Sequence, residues 1–446
     1  GAPDMQSASD TGTSGSDNVT SNTRPTFRVA VDGVKFSETA LLVAGDSIVL
    51  FGNGVQLHVT TLSPTDINNG YASVSPDVGL AAGTYSFTAG AKSVAGVSGA
   101  ASTSINAVID TTGQSATGIP DLIADDDAGT SSTDNNTSVV QPRFTVALAG
   151  TSAVANDILE LLDSAGTVIG QVALDSTAIS AGVVTVAPTG TFADGSVLVK
   201  ARIKDRAGNL GASSSSLTIV VNTALPDAPV LALVSSSDTG TSATDRITAR
   251  NTPTFSGTGT NGDTVKIFSG STELGSAVVT SGVWSITLAS ALADSTHTLR
   301  AQTIDAAGNS SSYSANLVVV VDTTRPSAPL ISGSPLAKNS STPTLSGTAE
   351  AHAIVKLYSG TSLVATTTAN QHGAWSVASS SLADATYSIT ASATDSAGNT
   401  SADSSVASLT IDTASPVAPT MNALIAYSLT PTLSGTGEVG ATVEVF

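Results

Sequence analysis

Apolar and polar residues alternate with a period of two along much of the chain. Tyr387, Ile389, Ala391 and Ala393 fall on one face, and Ser388, Thr390, Ser392 and Thr394 on the other. Val197, Val199, Ala201 and Ile203 alternate with Leu198, Lys200 and Arg202; Val265 and Ile267 flank Lys266; Val443 and Val445 flank Glu444. This alternation predicts strands with one buried face, and no long stretch carries the 3.6-residue period of a helix. A Leu-Ala-Asp turn, at Leu292-Ala293-Asp294 and Leu382-Ala383-Asp384, is the nearest approach to one. Many short strands separated by Gly, Asn and Asp turns predict two-sheet antiparallel sandwiches of roughly 100 residues each.

The pattern repeats. Pro25-Thr26-Phe27, Pro142-Arg143-Phe144, Pro253-Thr254-Phe255, Pro343-Thr344-Leu345 and Pro431-Thr432-Leu433 recur near the start of each unit. Val108-Ile109-Asp110-Thr111, Val220-Val221-Asn222-Thr223, Val320-Val321-Asp322-Thr323 and Thr410-Ile411-Asp412-Thr413 close them. Proline-rich connectors follow, short and fairly stiff because proline fixes φ. The expected units are 1–112, 113–223, 224–323 and 324–413, with 414–446 opening a fifth. Residues 1–5 read as a scar of cloning, and the natural chain is expected to continue past Phe446.

Single residues have structural readings. Trp284 and Trp375, in Gly-x-Trp-Ser, read as core anchors preceded by turns at Gly282 and Gly373. His297 aligns with Tyr85 and Tyr387 at the start of a strand and reads as a structural corner; His58, His352 and His372 have no partner spacing. Two G-x-G-x-x-G matches, at 257–262 and 435–440, precede strands, not the helix a dinucleotide site needs, and read as hairpin turns. No nucleophile elbow, Walker loop, zinc-protease or EF-hand pattern is present, so the expectation is a protein that is not an enzyme.

Composition narrows the partners. The chain holds 35 acidic and 16 basic residues, a net charge of −19, and no cysteine. Such a surface repels phosphate, which argues against nucleic acid. No apolar run is long enough to span a bilayer as a helix. Without cysteine there are no disulfides and no thiolate metal site.

The acids cluster in patterns. Asp205-Arg206-Ala207-Gly208-Asn209, Asp305-Ala306-Ala307-Gly308-Asn309 and Asp395-Ser396-Ala397-Gly398-Asn399 each end a strand. Asp110, Asp322 and Asp412 close units, with Asn222 as the neutral variant; Glu350 and Glu438 come early in the next. A D-x-G-x-S-x-x-D pattern opens the first three units, at 10–17, 127–134 and 238–245. Hard cations take six to eight oxygen ligands from such groups. Asx turns at strand ends are the competing reading for each single Asp. The candidate ligands for Ca²⁺ at the junctions are Asp110, Asp125, Asp127, Asp134, Asp205, Asn209, Asp238, Asp245, Asp305, Asn309, Asp322, Glu350, Asp395, Asn399, Asp412 and Glu438.

The stretch from Asp322-Thr323-Thr324-Arg325-Pro326 through Gly373-Ala374-Trp375-Ser376 and Asp395-Ser396-Ala397-Gly398-Asn399 to Ile411-Asp412-Thr413 resembles the tandem bacterial immunoglobulin-like repeats of giant type I-secreted, biofilm-associated-protein-like adhesins. The likeness is strongest over units three to five. It implies an all-β chain of tandem immunoglobulin-like antiparallel β-sandwiches arranged as an elongated rod. It also implies an extracellular, surface-exposed stalk stiffened by calcium between successive domains. Carried over, the second-to-third junction takes Asp205, Asn209 and Asp238; the third-to-fourth takes Asp305, Asn309, Asp322 and Glu350; the fourth-to-fifth takes Asp395, Asn399, Asp412 and Glu438. Ser93 and Val97 stand where the first unit should have Asp and Asn, leaving Asp110, Asp125 and Asp127 for the first junction. The expected partner is a host or biofilm surface met by the parent adhesin, with this segment a monomer that inserts in no membrane. The alternative is a glycan- or protein-binding module in the first or second unit, where residues 51–80 look like an insertion carrying Phe51, His58 and Tyr71.

Overall fold

The computed structural model describes residues 1–33, 41–423 and 429–446. Among them the chain is almost wholly β, built as repeated two-sheet sandwiches. It divides into two compact units, Gly1–Pro226 with Ile304–Ser311, and Asp227–Thr303 with Ser312–Phe446.

The first repeat sets the plan. Its strands are β1 (Pro3–Met5), β2 (Val19–Thr20), β3 (Phe27–Ala30), β4 (Ser47–Gly52), β5 (Val55–Thr61), β6 (Tyr71–Val74), β7 (Gly83–Lys92) and β8 (Ile105–Ile109). One sheet has the order β1-β3-β6 and the other β2-β8-β7-β4-β5. All neighbours are antiparallel except β2, which runs parallel to the closing strand β8, Val19 opposite Val108. The next three repeats have the same three-plus-five arrangement. In the last stretch, Thr420–Met421 pairs with Gly435–Thr436.

Between the sheets lies a separate apolar core in each repeat. The recurrent Pro-x-Phe/Leu motif supplies its centre: Phe27, Phe144, Phe255 and Leu345 are all buried. Trp284 and Trp375 are buried as expected, and Gly282 and Gly373 take the left-handed conformation, φ 78° and 79°, in the turns before them. The corner reading also holds. The Tyr85 and Tyr387 hydroxyls donate to Ala81 O and Ala383 O, and His297 Nε2 lies 2.8 Å from Ala293 O.

Residues 3–5 pair with β3, Met5 opposite Phe27, and Met5 is buried. Three expectations give way. The Leu-Ala-Asp segments are not helical. The helices are six-residue pieces, Pro64–Asn69 and Ser176–Ala181, capped by Ser63 and Asp175 and stopped by Gly70 and Gly182 in the left-handed region. Residues 51–80 are therefore β5, a helix and β6, repeated in the second repeat, and not an inserted loop. Finally, the turn at 257–262 joins strands of different sheets, so it is a crossover and not a hairpin.

Candidate functional site: acidic loops at the poles of the repeats

Strand direction decides which loops meet. In the second repeat, Leu217–Val221 runs to the exit of the sandwich, and Gly195–Lys204 is antiparallel to it, Gly195 opposite Val221. The loop after Lys204 is thus at the entrance pole, beside the repeat before it. Asn209 Nδ2 donates to Asp110 O at 2.8 Å, and Ser21 N donates to Ala207 O. In the second compact unit, Asn399 Nδ2 donates to Asp322 O at 2.8 Å. In the first, Asn309 Nδ2 donates to Asn222 O at 2.8 Å.

This shifts the expected ligand sets by one repeat. Asp205 and Asn209 join Asp110, not Asn222; Asp305 and Asn309 join Asn222, not Asp322; Asp395 and Asn399 join Asp322, not Asp412. The Ser93/Val97 departure does not bear on the first junction, because that loop is at the entrance of the first repeat. There Ser93 Oγ accepts from Val97 N, the place Asp fills elsewhere.

Each loop is closed on itself. Asp205 Oδ1 accepts from Asn209 N at 2.8 Å, and Oδ2 from Asn209 Nδ2 at 2.9 Å, with the same pattern at 305–309 and 395–399. Asp157, whose carboxyl is pushed up chiefly by burial, holds the first of them from below by accepting from Arg206 N. Sequence reading missed this residue. Its signal was the Asn156-Asp157 and Gly45-Asp46 pairs just before a strand.

Against these loops press the D-x-G-x-S-x-x-D segments, which lie at the exit pole of their own repeat. Thr11 Oγ1 donates to Ala207 O at 2.7 Å, and Thr239 Oγ1 donates to Ala397 O. The approach is so close that only glycine fits. A Cβ on Gly12 would collide with Arg206 O, on Gly129 with Ala306 O, and on Gly240 with Ser396 O.

The first acid of each segment is buried. Asp10, Asp127 and Asp238 are 4%, 1% and 7% exposed. One oxygen of each accepts from a backbone N–H, of Asn18, Asn135 and Arg246 respectively. The other oxygen, Oδ1, is buried with no hydrogen-bond partner in all three. Burial pushes each carboxyl above its ordinary range, and the second acid of the pattern, Asp17, Asp134 or Asp245, pushes the same way. An orphaned, shielded carboxylate oxygen facing a second carboxylate is costly without a cation. The donor set is all oxygen, which suits a hard divalent ion.

The other predicted ligands are less gathered. Asp110, Asp322 and Asp412 form Asx turns with Thr112, Thr324 and Ala414 N. Glu350 is pushed up by burial first, then by Asp395 and Asp322, which places these acids near one another. Glu438 accepts from Val417 N in its own connector. Asp125 is exposed, while its neighbour Asp126 takes the two-pronged bond from Arg143 that holds its carboxyl below the usual range. Among the described residues no three carboxylate or imidazole side chains converge, so any cation would also draw on backbone, hydroxyl or amide oxygens.

Two further contacts were not foreseen. The Leu-Ala-Asp carboxylates Asp294 and Asp384, and Asp194 of the corresponding Phe-Ala-Asp, fasten the connectors: they accept from the hydroxyls of Thr323, Thr413 and Thr223. His58 does have partners, Asp77 Oδ1 and Thr60 Oγ1, each at 2.6 Å.

The profile of the bacterial Ig-like domain family matches four times, over residues 1–111, 114–223, 225–323 and 332–413. No curated protein matches the chain. Among solved structures, fibronectin(III)-like modules of Clostridium thermocellum CbhA are 14% identical at a TM-score of 0.29, covering 41% of this chain and 94% of theirs. A structure of a 1.5-MDa bacterial ice-binding adhesin is 19% identical at 0.25, covering 66% and 97%. The BSP domain of a biofilm associated protein is 12% identical at 0.18, covering 93% and 96%. Likenesses this distant assign no ligand or partner. Among the described residues no helix is long and apolar enough to cross a membrane.

Proposed function

The chain belongs to the bacterial Ig-like domain family, and from that premise we propose that it is a stalk segment of a bacterial cell-surface adhesin whose joints are set by Ca²⁺. The observation that carries this reading is the trio of buried Oδ1 atoms, on Asp10, Asp127 and Asp238, that lack any partner. The residues that would hold the ion are these acids with Asp17, Asp134 and Asp245 opposite them. Bound there, Ca²⁺ supplies positive charge that turns carboxylate repulsion into attraction. The loops of Asp10 and Asp238 touch the entrance loop of the next repeat through Thr11 and Thr239, and that of Asp127 packs Gly129 against Ala306 O. Ordering the acidic loop therefore orders the joint. At the third-to-fourth junction Asp395 and Asp322 add to the upward push of burial on Glu350, a repulsion that a nearby cation would relieve.

The magnitudes suit a joint more than a core. Extracellular calcium modules bind at about 10⁻⁴–10⁻³ M. An ion at ten to a hundred times its dissociation constant contributes roughly 1.4–2.7 kcal/mol per site. That is small beside the stability of a sandwich, and large enough to select one joint geometry. Small-angle scattering of the whole chain with Ca²⁺ and with EDTA tests the reading. Chelation is expected to shorten the maximum dimension while circular dichroism stays β-like, and Asp10→Asn/Asp127→Asn/Asp238→Asn is expected to remove the response. An unchanged dimension ends the stiffening role.

A further inference from the structure

The closing position is acidic in three repeats and neutral in one. Asp110, Asp322 and Asn222 occupy the same place: each accepts, through Oδ1, from the backbone N–H two residues on. Each also offers its carbonyl to the Asn of a D-x-x-G-N loop, at 2.8 Å in all three cases. The difference is the second atom of the side chain. In Asp110 and Asp322 it is a carboxylate oxygen, brought to the same loop as the carboxylate of Asp205 or Asp395. In Asn222 it is an amide nitrogen, and it donates to Asp305 Oδ2 at 3.0 Å. That oxygen also accepts from Asn309 Nδ2 at 2.9 Å. Asp305 is 7% exposed, so the bond is shielded from water.

We propose that the Asn222 amide takes the place of a cation at the Asp305 carboxylate, so that this contact has, without metal, a bond that its two counterparts lack. The N–H does part of what the ion would do, offering its partial positive charge to a buried carboxylate from a group fixed to the chain and present at any calcium level. The chain then has a graded response: as calcium falls, all three loops lose the order lent by the acidic segments that press on them, and the loop at 305–309, which keeps the amide bond, loosens least. The comparison among loops rests on the calcium reading above; the amide bond itself does not.

Hydrogen exchange of the intact chain, read on peptides covering 205–209, 305–309 and 395–399 with Ca²⁺ and with EDTA, tests this. Chelation is expected to speed exchange several-fold more in the first and third than in the second. Asn222→Asp is expected to speed exchange at 305–309 roughly tenfold in EDTA, the loss of a bond to a charged group, and to regain protection with Ca²⁺. The reciprocal Asp322→Asn should make 395–399 respond less to chelation, as 305–309 does. If 305–309 in the unaltered chain responds like the other two, or calcium fails to protect Asn222→Asp, the inference falls and the calcium reading stands. If no loop responds to chelation, the calcium reading falls at these joints. The inference is then decided in EDTA alone, upheld by faster exchange in Asn222→Asp and overturned by equal exchange.

Discussion

A methyl group has no room at Gly240. Its φ of 97° disfavours any side chain, and a Cβ there would run into the Ser396 carbonyl. Gly240→Ala is expected to cost the contact about 1–3 kcal/mol, seen as faster hydrogen exchange at 395–399 with exchange in the core of the third repeat unchanged. The buried acids make a second residue-scale prediction, for the chain in EDTA. Asp10, Asp127 and Asp238 have folded pKa values raised above the unfolded ones, first by burial. Folding therefore favours their protonated forms: that stability is fully present below the ordinary Asp value and lost as pH rises through the raised values. Asp126, held low first by Arg143, acts oppositely, and its contribution disappears as pH falls through its depressed value. With Asp157 and Glu350 five carboxyls are raised, against Asp126, Asp163 and Asp294 lowered, so the melting temperature in EDTA should rise as pH falls from about 7 to about 4.5; calorimetry that shows it falling contradicts this. With Ca²⁺ present the sign should reverse, because protons compete for the same oxygens. The spacing of these acids was legible in the sequence. Their burial was not, because Asp127 is hidden by a fold contact and not by its neighbours in the chain.

At the scale of elements, the alternation at 197–203 and 387–394 located strands correctly because a half-buried strand must alternate. What it did not convey was the end of the sandwich at which each strand stops. The clue was present: the closing strand must run toward the exit, so a loop just before it is at the entrance. Overlooking this placed Asp205, Asp305 and Asp395 one joint too far along. The short helices were invisible for a different reason. Six residues carry no measurable period, and only the caps, Ser63 with Asp66 and Asp175, mark them. The strand at Pro3–Met5 was legible in principle, since Pro3-Asp4-Met5 stands before Asp10 as Pro120-Asp121-Leu122 stands before Asp127. Phe144, at the head of a central strand and fully buried, offers the element-scale test. Phe144→Ala should cost about 3–5 kcal/mol, read by chemical denaturation as an earlier transition of the second repeat alone.

At the scale of the molecule, the repeats keep separate cores, and among the described residues no apolar cluster spans two of them. This is why Pro-Arg-Phe144 and Pro-Thr-Phe255 could be counted from sequence alone: a core that belongs to one repeat repeats with it. The joints were less legible, since they depend on pairs such as Asn209 with Asp110, 99 residues apart. Short polar loops set them, and a one-atom difference, the amide of Asn222, changes the chemistry of a joint without changing any pattern of apolar residues. The net charge of −19 fits a chain whose acids are placed for local duty and lack enough basic partners.

The parallel pairing of each repeat's short second strand with its closing strand has a mechanical consequence. Val19 lies opposite Val108, Asn136 opposite Val220, Ile247 opposite Val320 and Leu336 opposite Leu409. A pull on the two ends of a repeat drags these partners in opposite directions along their length. The bonds between them are then sheared together and cannot be unzipped one after another, so a pull along the chain meets resistance at this seam.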